Sequence, residues 1–119
     1  MILVLFEVTI KQTYMDRYLA LAANLKQELV KSEGYIRSER FSSLATEGKL
    51  LSLSVWESEK AVNKWRNQAE HRMSQRQGHD LLFESYTITI ASQLRSYSNS
   101  ERSGAPADSN RLFAGPVDM

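Results

Sequence analysis

Four stretches of the chain alternate in polarity with a period of two residues, and this alternation is what most constrains the fold. The first stretch covers residues 2–10, where every even position is β-branched or aromatic; the others cover 35–42, 50–56 and 82–96. Period-two alternation is typical of β-strands with one face in a core. The turn Thr46-Glu47-Gly48-Lys49 joins the second and third stretches as a hairpin. The sequence therefore predicts four strands.

Two longer segments between these strands have helical spacing instead. Residues 13–32 repeat apolar side chains every three or four positions, Thr13 with Asp16 resembles a capping box, and Gly34 lies past the end. The second segment begins at the N-cap candidate Ser58 and ends at Gly78. We therefore predict one helix after the first strand and another after the third.

The resulting order is strand, helix, strand, strand, helix, strand. It predicts an α+β, ferredoxin-like βαββαβ fold, with an antiparallel sheet and both helices on one face. The other face must then meet water or a partner, and we expect a second copy of the chain to cover it, sheet against sheet. The residues that we expect on that covered face are Leu3, Leu5, Leu50 and Trp56.

Length and composition divide the chain into one domain and a tail. A chain of 119 residues has room for a single core, and we place that domain at residues 1–97. Residues 98–119 hold both prolines and no core-forming period, so disorder is the simpler interpretation. The alternative is that Arg111-Leu112-Phe113 docks onto the partner subunit.

Charge and cysteine content exclude several classes of function. Fifteen basic and fourteen acidic residues give a net charge of +1 with no basic block, so no nucleic-acid partner is expected. The absence of cysteine excludes thiolate catalysis and disulfides. The six apolar residues at the start are too few for a signal peptide, and no run reaches the roughly 18 apolar residues of a spanning helix. We expect a cytoplasmic protein without membrane contact.

One stretch, residues 65–78, gathers the side chains best suited to chemistry. It contains Trp65, Asn67, His71 and Gln75. On a straight helix, at about 100° per residue, positions 65 and 71 are separated by about 240°. We therefore predict a break near Asn67, which would let Trp65 and His71 face one pocket.

The chain resembles the antibiotic biosynthesis monooxygenase domain family, a family of dimeric α+β barrels, over about residues 1 to 97. The residues that carry the resemblance are Glu33-Gly34-Tyr35-Ile36, Glu39-Arg40-Phe41, the strand 50–56, Ala61-Val62-Asn63-Lys64-Trp65-Arg66, His71, Gln75, Gly78, Phe83, Tyr86 and Ile88. The resemblance implies a homodimer whose sheets pack face to face, with a cavity in each subunit between helices and sheet. Members include cofactor-independent oxygenases of polyketide aromatics, quinol monooxygenases and haem-degrading enzymes.

The haem-degrading branch of that family fits this sequence poorly. Its members carry an asparagine on the first strand, a tryptophan on the second helix and a haem-ligating histidine ten residues later. Trp65 matches the tryptophan, but Gln75 replaces the histidine and Phe6 stands at about the asparagine position. The resemblance thus implies a reaction without a cofactor, on a small aromatic or quinol-type substrate.

Such a reaction requires an apolar pocket, a base of near-neutral pKa, and donors for a developing oxyanion. A histidine suits the base, amides and arginine suit the donors, and aromatic side chains suit the walls. The predicted base is His71, the predicted donors are Arg40, Asn67 and Gln75, and the predicted walls are Phe6, Trp65 and Phe83.

Each of these residues also has a structural interpretation. Trp65 can be ordinary core, and His71 can cap a helix or face solvent. Arg40 can pair with Glu39 or Glu7. His79-Asp80 has no third partner, so no metal site is expected, and no P-loop, dinucleotide loop or Ser-His-Asp signature is present.

Three hypotheses of function remain open at this point. The first is a small oxygenase that acts on an aromatic or quinol ligand. The second is a non-catalytic module that binds a small molecule or haem. The third is a structural dimer whose space between helices and sheet is filled by its own side chains.

Overall fold

The structure, a computed structural model, describes residues 1–75 and 83–113, with side chains for residues 1–70 and 85–113. The strands and helices follow one another in the predicted order, and a short helix is present in the tail. Their bounds are β1 Ile2–Ile10, α1 Met15–Leu29, β2 Tyr35–Ser42, β3 Lys49–Trp56, α2 Glu59–Gln75, β4 Phe83–Ser92 and α3 Ala107–Phe113.

The four strands form one antiparallel sheet with the order β2-β3-β1-β4. Both α1 and α2 pack on the same face: Tyr18 of α1 lies in a cluster with Val8 of β1, and Trp65 of α2 stacks on Trp56 of β3. The ferredoxin-like α+β prediction is therefore confirmed.

The register of the central pair decides which side chains face the helices. Phe6 pairs with Ser52 of β3 and Ile88 of β4, and Val4 pairs with Ser54. Even positions of β1 thus stand beside even positions of both neighbours. Because side chains alternate along a strand, the even positions of β1 and β3, and those of β4 from Tyr86 onward, share the helix-facing side.

This register corrects the predicted location of Leu50 and Trp56. Leu50 pairs with Val8 and packs against the buried cluster of α1 and β1. Trp56 is 0% exposed and stacks on Trp65, with ring centroids 6.4 Å apart. Placing these two residues on the outer face was wrong, because they have the same parity as the inward-facing residues of β1.

The outer face of the sheet is still largely apolar, on the odd positions of the central strands. Leu5 pairs with Leu53 there, and the exposed Phe41 of β2 pairs with Leu51. In the middle of β3, therefore, the apolar residues Leu51 and Leu53 face away from the helices. The serines face toward them, the reverse of the usual arrangement for a strand covered by helices on one side.

Several local signals in the sequence have the predicted effect. The Ser58 hydroxyl accepts a hydrogen bond from the Ala61 N–H at 3.2 Å, which caps the start of α2. Gly48 has φ +80° in the hairpin turn. Gly34 has φ +83°, and a Cβ there would lie 2.5 Å from the Cβ of Ala61, so glycine also allows α2 to approach the chain closely.

Two features of the helices differ from the predictions. The helix α1 ends at Leu29 rather than at residue 32, and a 3₁₀ turn at Gln12–Tyr14 precedes it, so Thr13 does not act as its cap. The helix α2 runs without interruption from Glu59 to Gln75, so the predicted break near Asn67 is wrong. No glycine or proline stands within that helix to interrupt its hydrogen bonds.

The tail contains local structure through residue 113. The guanidinium of Arg102 lies 5.4 Å from the ring centroid of Tyr97 and 4.9 Å from that of Phe113. It also donates hydrogen bonds to Ser109 and Asn110 of α3. Leu112 and Phe113 are exposed, and the docking of this segment on a partner stays a prediction.

The buried cluster at one end of the sheet includes a tyrosine hydroxyl. Tyr18 is 5% exposed and packs with Val8, Ile10 and Ala22. Burial raises the pKa of the Tyr18 phenol, while the charge of Arg40 and a hydrogen bond from it oppose the rise.

Within residues 1–75 and 83–113, no helix combines the length and apolarity required to cross a membrane.

The raised pKa of Tyr18 predicts a pH dependence of stability. Below the unfolded pKa of 10.0 the phenol is protonated in both states, so its contribution to folding is complete. As pH rises above that value the unfolded chain ionises first, and the contribution is lost as pH passes through the folded pKa. We expect the free energy of unfolding of the wild type to fall more steeply between about pH 9 and pH 11 than that of Tyr18→Phe.

Urea unfolding at a series of pH values measures this difference. Tyr97→Phe, which removes an exposed hydroxyl, is the matched control and should follow the wild-type slope. A Tyr18→Phe curve parallel to the wild type above pH 10 would show that the buried phenol does not resist ionisation.

Candidate active site

A cavity of about 480 Å³ lies between the helix-facing side of the sheet and the helices α1 and α2. This volume falls within the roughly 300–1,000 Å³ that small-molecule sites occupy. The space between helices and sheet is thus open rather than filled by side chains. That opening argues against the hypothesis of a purely structural dimer.

Two rows of paired residues form the floor of this cavity. One row runs across the sheet through Arg40, Ser52, Phe6 and Ile88, and the next runs through Ser38, Ser54, Val4 and Ile90. In both rows the residues of β2 and β3 are polar and those of β1 and β4 are apolar. The floor is therefore amphipathic, with the dividing line between the two central strands.

The helices supply mostly apolar walls. The helix α1 contributes Leu21, Leu25 and Leu29, and α2 contributes Val62, Trp65 and Ala69. Tyr86 of β4 adds an aromatic surface, with its ring centroid 5.8 Å from that of Phe6. A ligand in this space would contact aliphatic and aromatic carbon over most of its surface.

Tyr18 and Arg40 join α1 to the polar half of the floor. The guanidinium carbon of Arg40 lies 6.0 Å from the centroid of the Tyr18 ring, and Arg40 donates a hydrogen bond to the Tyr18 hydroxyl. Because burial raises the pKa of Tyr18, the phenol remains protonated at neutral pH. A cation and a neutral hydroxyl therefore stand together in the cavity.

The serines of the floor differ in how they are bonded. The Ser38 hydroxyl lies 2.8 Å from the Tyr35 hydroxyl, and Ser54 accepts a 2.9 Å hydrogen bond from the indole of Trp56. Ser52, which stands beside Arg40 across the strand pair, makes no side-chain hydrogen bond within the described part of the chain. Its hydroxyl remains available to a ligand.

The charged side chains around the cavity are only partly paired. Arg66 and Glu70 form an ion pair of 2.9 Å along α2. Glu7, one of the predicted partners of Arg40, instead pairs with Lys49 at 3.4 Å on the outer face. Among residues whose side chains are described, no carboxylate lies within ion-pair distance of Arg40, so its predicted pairing with Glu39 or Glu7 is wrong.

The structure brings together three of the seven predicted site residues. Phe6, Arg40 and Trp65 line the cavity. Asn67 is exposed and does not line it. His71 and Gln75 belong to α2 and Phe83 begins β4, but their side chains lie outside the described residues, so their assigned roles stay predictions.

Two residues of the site were missed in the sequence, Tyr18 and Ser52. In the sequence Tyr18 falls in the apolar repeat of residues 13–32, where a tyrosine normally contributes its ring to the core. Ser52 occupies an even position, as Phe6 and Arg40 do, and this shared parity could have predicted that it faces the cavity.

In the described part of the chain, no group of three or more acidic or histidine side chains is arranged so that it could hold a metal ion.

Solved structures with the same fold share little sequence with this chain. Rv0793 from Mycobacterium tuberculosis superposes with a TM-score of 0.69 at 16% identity, over 82% of this chain and 98% of that one. A variant of SnoaB, a cofactor-independent oxygenase from Streptomyces nogalater, gives a TM-score of 0.65 at 11% identity, over 80% of this chain and 94% of that one. At these identities the likeness concerns the fold.

A curated relative is closer in sequence. The jasmonate monooxygenase ABM of Pyricularia oryzae is 36% identical over 101 residues, which are 85% of this chain and 47% of that protein. The chain therefore spans about half the length of this relative. The model of the antibiotic biosynthesis monooxygenase family matches residues 1–77, about two thirds of the chain. The chain belongs to the antibiotic biosynthesis monooxygenase family.

Proposed function

We propose that this chain is a monooxygenase that transfers one atom of molecular oxygen to a small cyclic substrate held between the sheet and the helices. The observation that carries the proposal is the 480 Å³ cavity with apolar walls and a floor that is polar on one half. Family membership and the relative named as a jasmonate monooxygenase support the same class of reaction.

The proposed reaction needs no cofactor when the substrate supplies the electrons. In the keto tautomer of a hydroxyaryl or quinol-type ring, a CH₂ group and O₂ give a C=O group and water. The carbon loses four electrons, the O₂ gains four, and both hydrogens leave in the water. Deprotonation of the substrate makes it electron-rich enough to react with oxygen directly.

The described residues suit the binding part of this reaction. Phe6, Tyr86 and Trp65 offer ring surfaces, and the leucines of α1 exclude water from the reacting carbon. Arg40, which lies against the ring of Tyr18, can donate hydrogen bonds to a negatively charged oxygen of the substrate. The base that removes the substrate proton is assigned to His71 as a prediction.

A cavity-filling variant tests where the reaction takes place. Leu25 lines the cavity from α1, and Asn24 beside it is exposed. We expect Leu25→Trp to lower kcat/KM by about a hundredfold, since displacing a substrate by an ångström has that effect. Asn24→Trp, the matched control, should keep the wild-type rate.

The measurement is incorporation of isotope-labelled molecular oxygen into product, followed by mass spectrometry. The panel consists of quinols, jasmonic acid and methyl jasmonate, each with and without a reduced nicotinamide. Circular dichroism checks that both variants fold. Absence of label from every product, or full activity of Leu25→Trp, would contradict the proposal.

We further propose that a second copy of the chain covers the outer face of the sheet. That face carries leucines on both central strands, among them the paired Leu5 and Leu53, with the exposed Phe41 at its edge. An apolar surface of this extent on a sheet is typical of an interface. The dimeric arrangement that the family resemblance implies would bury it.

A charge placed in the middle of this face should dissociate the dimer. We expect the wild type to sediment as a dimer at micromolar concentration and Leu53→Glu as a monomer. An uncompensated buried charge costs about 3–5 kcal/mol. Leu19→Glu, the same substitution at an exposed position of α1, should remain dimeric. A monomeric wild type, or a dimeric Leu53→Glu, would argue against this interface.

A further inference from the structure

Arg40 lines the cavity and has no carboxylate partner among the residues whose side chains are described. Arg40 is on β2, where alternation directs it with Ser38 toward the helices. Its described contacts are with the ring and hydroxyl of Tyr18, and no described carboxylate pairs with it. A guanidinium that lines an apolar cavity without a counterion favours a ligand that brings the negative charge.

The other charged groups of the cavity do not supply that counterion. Glu70 is committed to Arg66 at 2.9 Å. Glu39 also borders the cavity, but on β2 it alternates with Arg40 and so belongs to the opposite side of the strand. Lys26 of α1 adds a second positive charge to the lining.

A neutral donor stands next to the cation, in a pattern that fits a carboxylate. Ser52 pairs with Arg40 across β2 and β3, and its hydroxyl makes no hydrogen bond with the residues whose side chains are described. The Tyr18 hydroxyl accepts a hydrogen bond from Arg40 and so joins the guanidinium to α1. A carboxylate has two oxygens and about four lone-pair sites, enough to accept from Arg40 and Ser52 at once.

The rest of the floor is complementary to a carbon skeleton. Across the same row, Phe6 and Ile88 follow Ser52 without another polar group, and Val4 and Ile90 repeat this in the next row. Strands lie about 4.8 Å apart, so the apolar half begins one strand spacing from the donors. A ligand with its acid group at β2 and its ring over β1 and β4 would match both halves.

We propose that the substrate of this site is a carboxylic acid with an apolar ring, and that Arg40, held against Tyr18 and assisted by Ser52, binds its carboxylate. The inference rests on the proposed monooxygenase function, which it narrows from small cyclic molecules to acids. Arg40 is then the residue that discriminates an acid from its neutral ester.

The test compares acids with their methyl esters, so that the carbon skeleton stays constant. The probes are jasmonic acid with methyl jasmonate and salicylic acid with methyl salicylate. Binding is measured without oxygen, by calorimetry and by the fluorescence of the tryptophans, one of which lines the cavity. For at least one pair, we expect the wild type to bind the acid about tenfold to a hundredfold more tightly than the ester, the range for hydrogen bonds to a charged group.

Variants assign the preference to one guanidinium. Arg40→Gln should abolish the preference for the acid. It should change the affinity for the ester by no more than about twofold. Arg37→Gln removes an arginine from the same strand but from the other side, and it should keep the wild-type preference. Arg40→Lys should retain part of it, since a point charge replaces a bidentate fork.

The outcomes separate this inference from the proposed function. Equal affinity for acid and ester, no binding of either acid, or an unchanged preference in Arg40→Gln would each overturn the inference. A loss of ester turnover in Arg40→Gln as large as the loss of acid turnover would also overturn it, because Arg40 would then act on the reacting oxygen. Binding of the acid through Arg40 without oxygen incorporation would leave the anchor in place and refute the monooxygenase.

Discussion

The register between β1 and β3 is the constraint on which the rest of this structure depends. It aligns Phe6 with Ser52 and Val4 with Ser54, so that residues of equal parity share a face. A slip of one residue would move every side chain of β3 to the other side of the sheet. The serines would then face outward and the leucines would fill the space that is now a cavity.

The cavity follows from this arrangement because small polar side chains stand where a core would have large apolar ones. A strand beneath two helices normally presents large apolar residues to them, as β1 does with Val4 and Phe6. On β3 the corresponding positions are Ser52 and Ser54, whose small side chains leave room below α1 and α2. The buried cluster around Tyr18 at one end and the Trp56–Trp65 stack at the other hold the helices in place. The two ends of the sheet are thus packed against the helices, and the space between these ends is open.

Much of the fold was accessible from the sequence because it depends on local patterns. Alternation gave the four strands, and Gly48 and Ser58 act as the turn glycine and helix cap that their residue types suggested. The predicted break near Asn67 failed for a different reason. A break would bring Trp65 and His71 to one side, but nothing in the composition of α2 interrupts a helix.

The contact between Tyr18 and Arg40 could not be predicted in the same way. The two residues are separated by 22 positions in the sequence, and the contact depends on how α1 lies across β2, which no local pattern specifies. The face assignment of Leu50 and Trp56 was accessible, since their parity matches that of the serines on β3. In a sheet whose helix-facing side is partly polar, alternation predicts the direction of a side chain better than its apolar character does.

A crystal structure of the protein with jasmonic acid tests the central claim most directly, which is that the cavity above the serine-bearing strand holds the substrate through its acid group. The account predicts electron density for the ligand between the sheet and α1, with a carboxylate oxygen within about 3 Å of the Arg40 guanidinium and the ring against Phe6 and Ile88. Density in the reverse orientation, with the ring at Arg40, or at a site elsewhere on the protein, would contradict it.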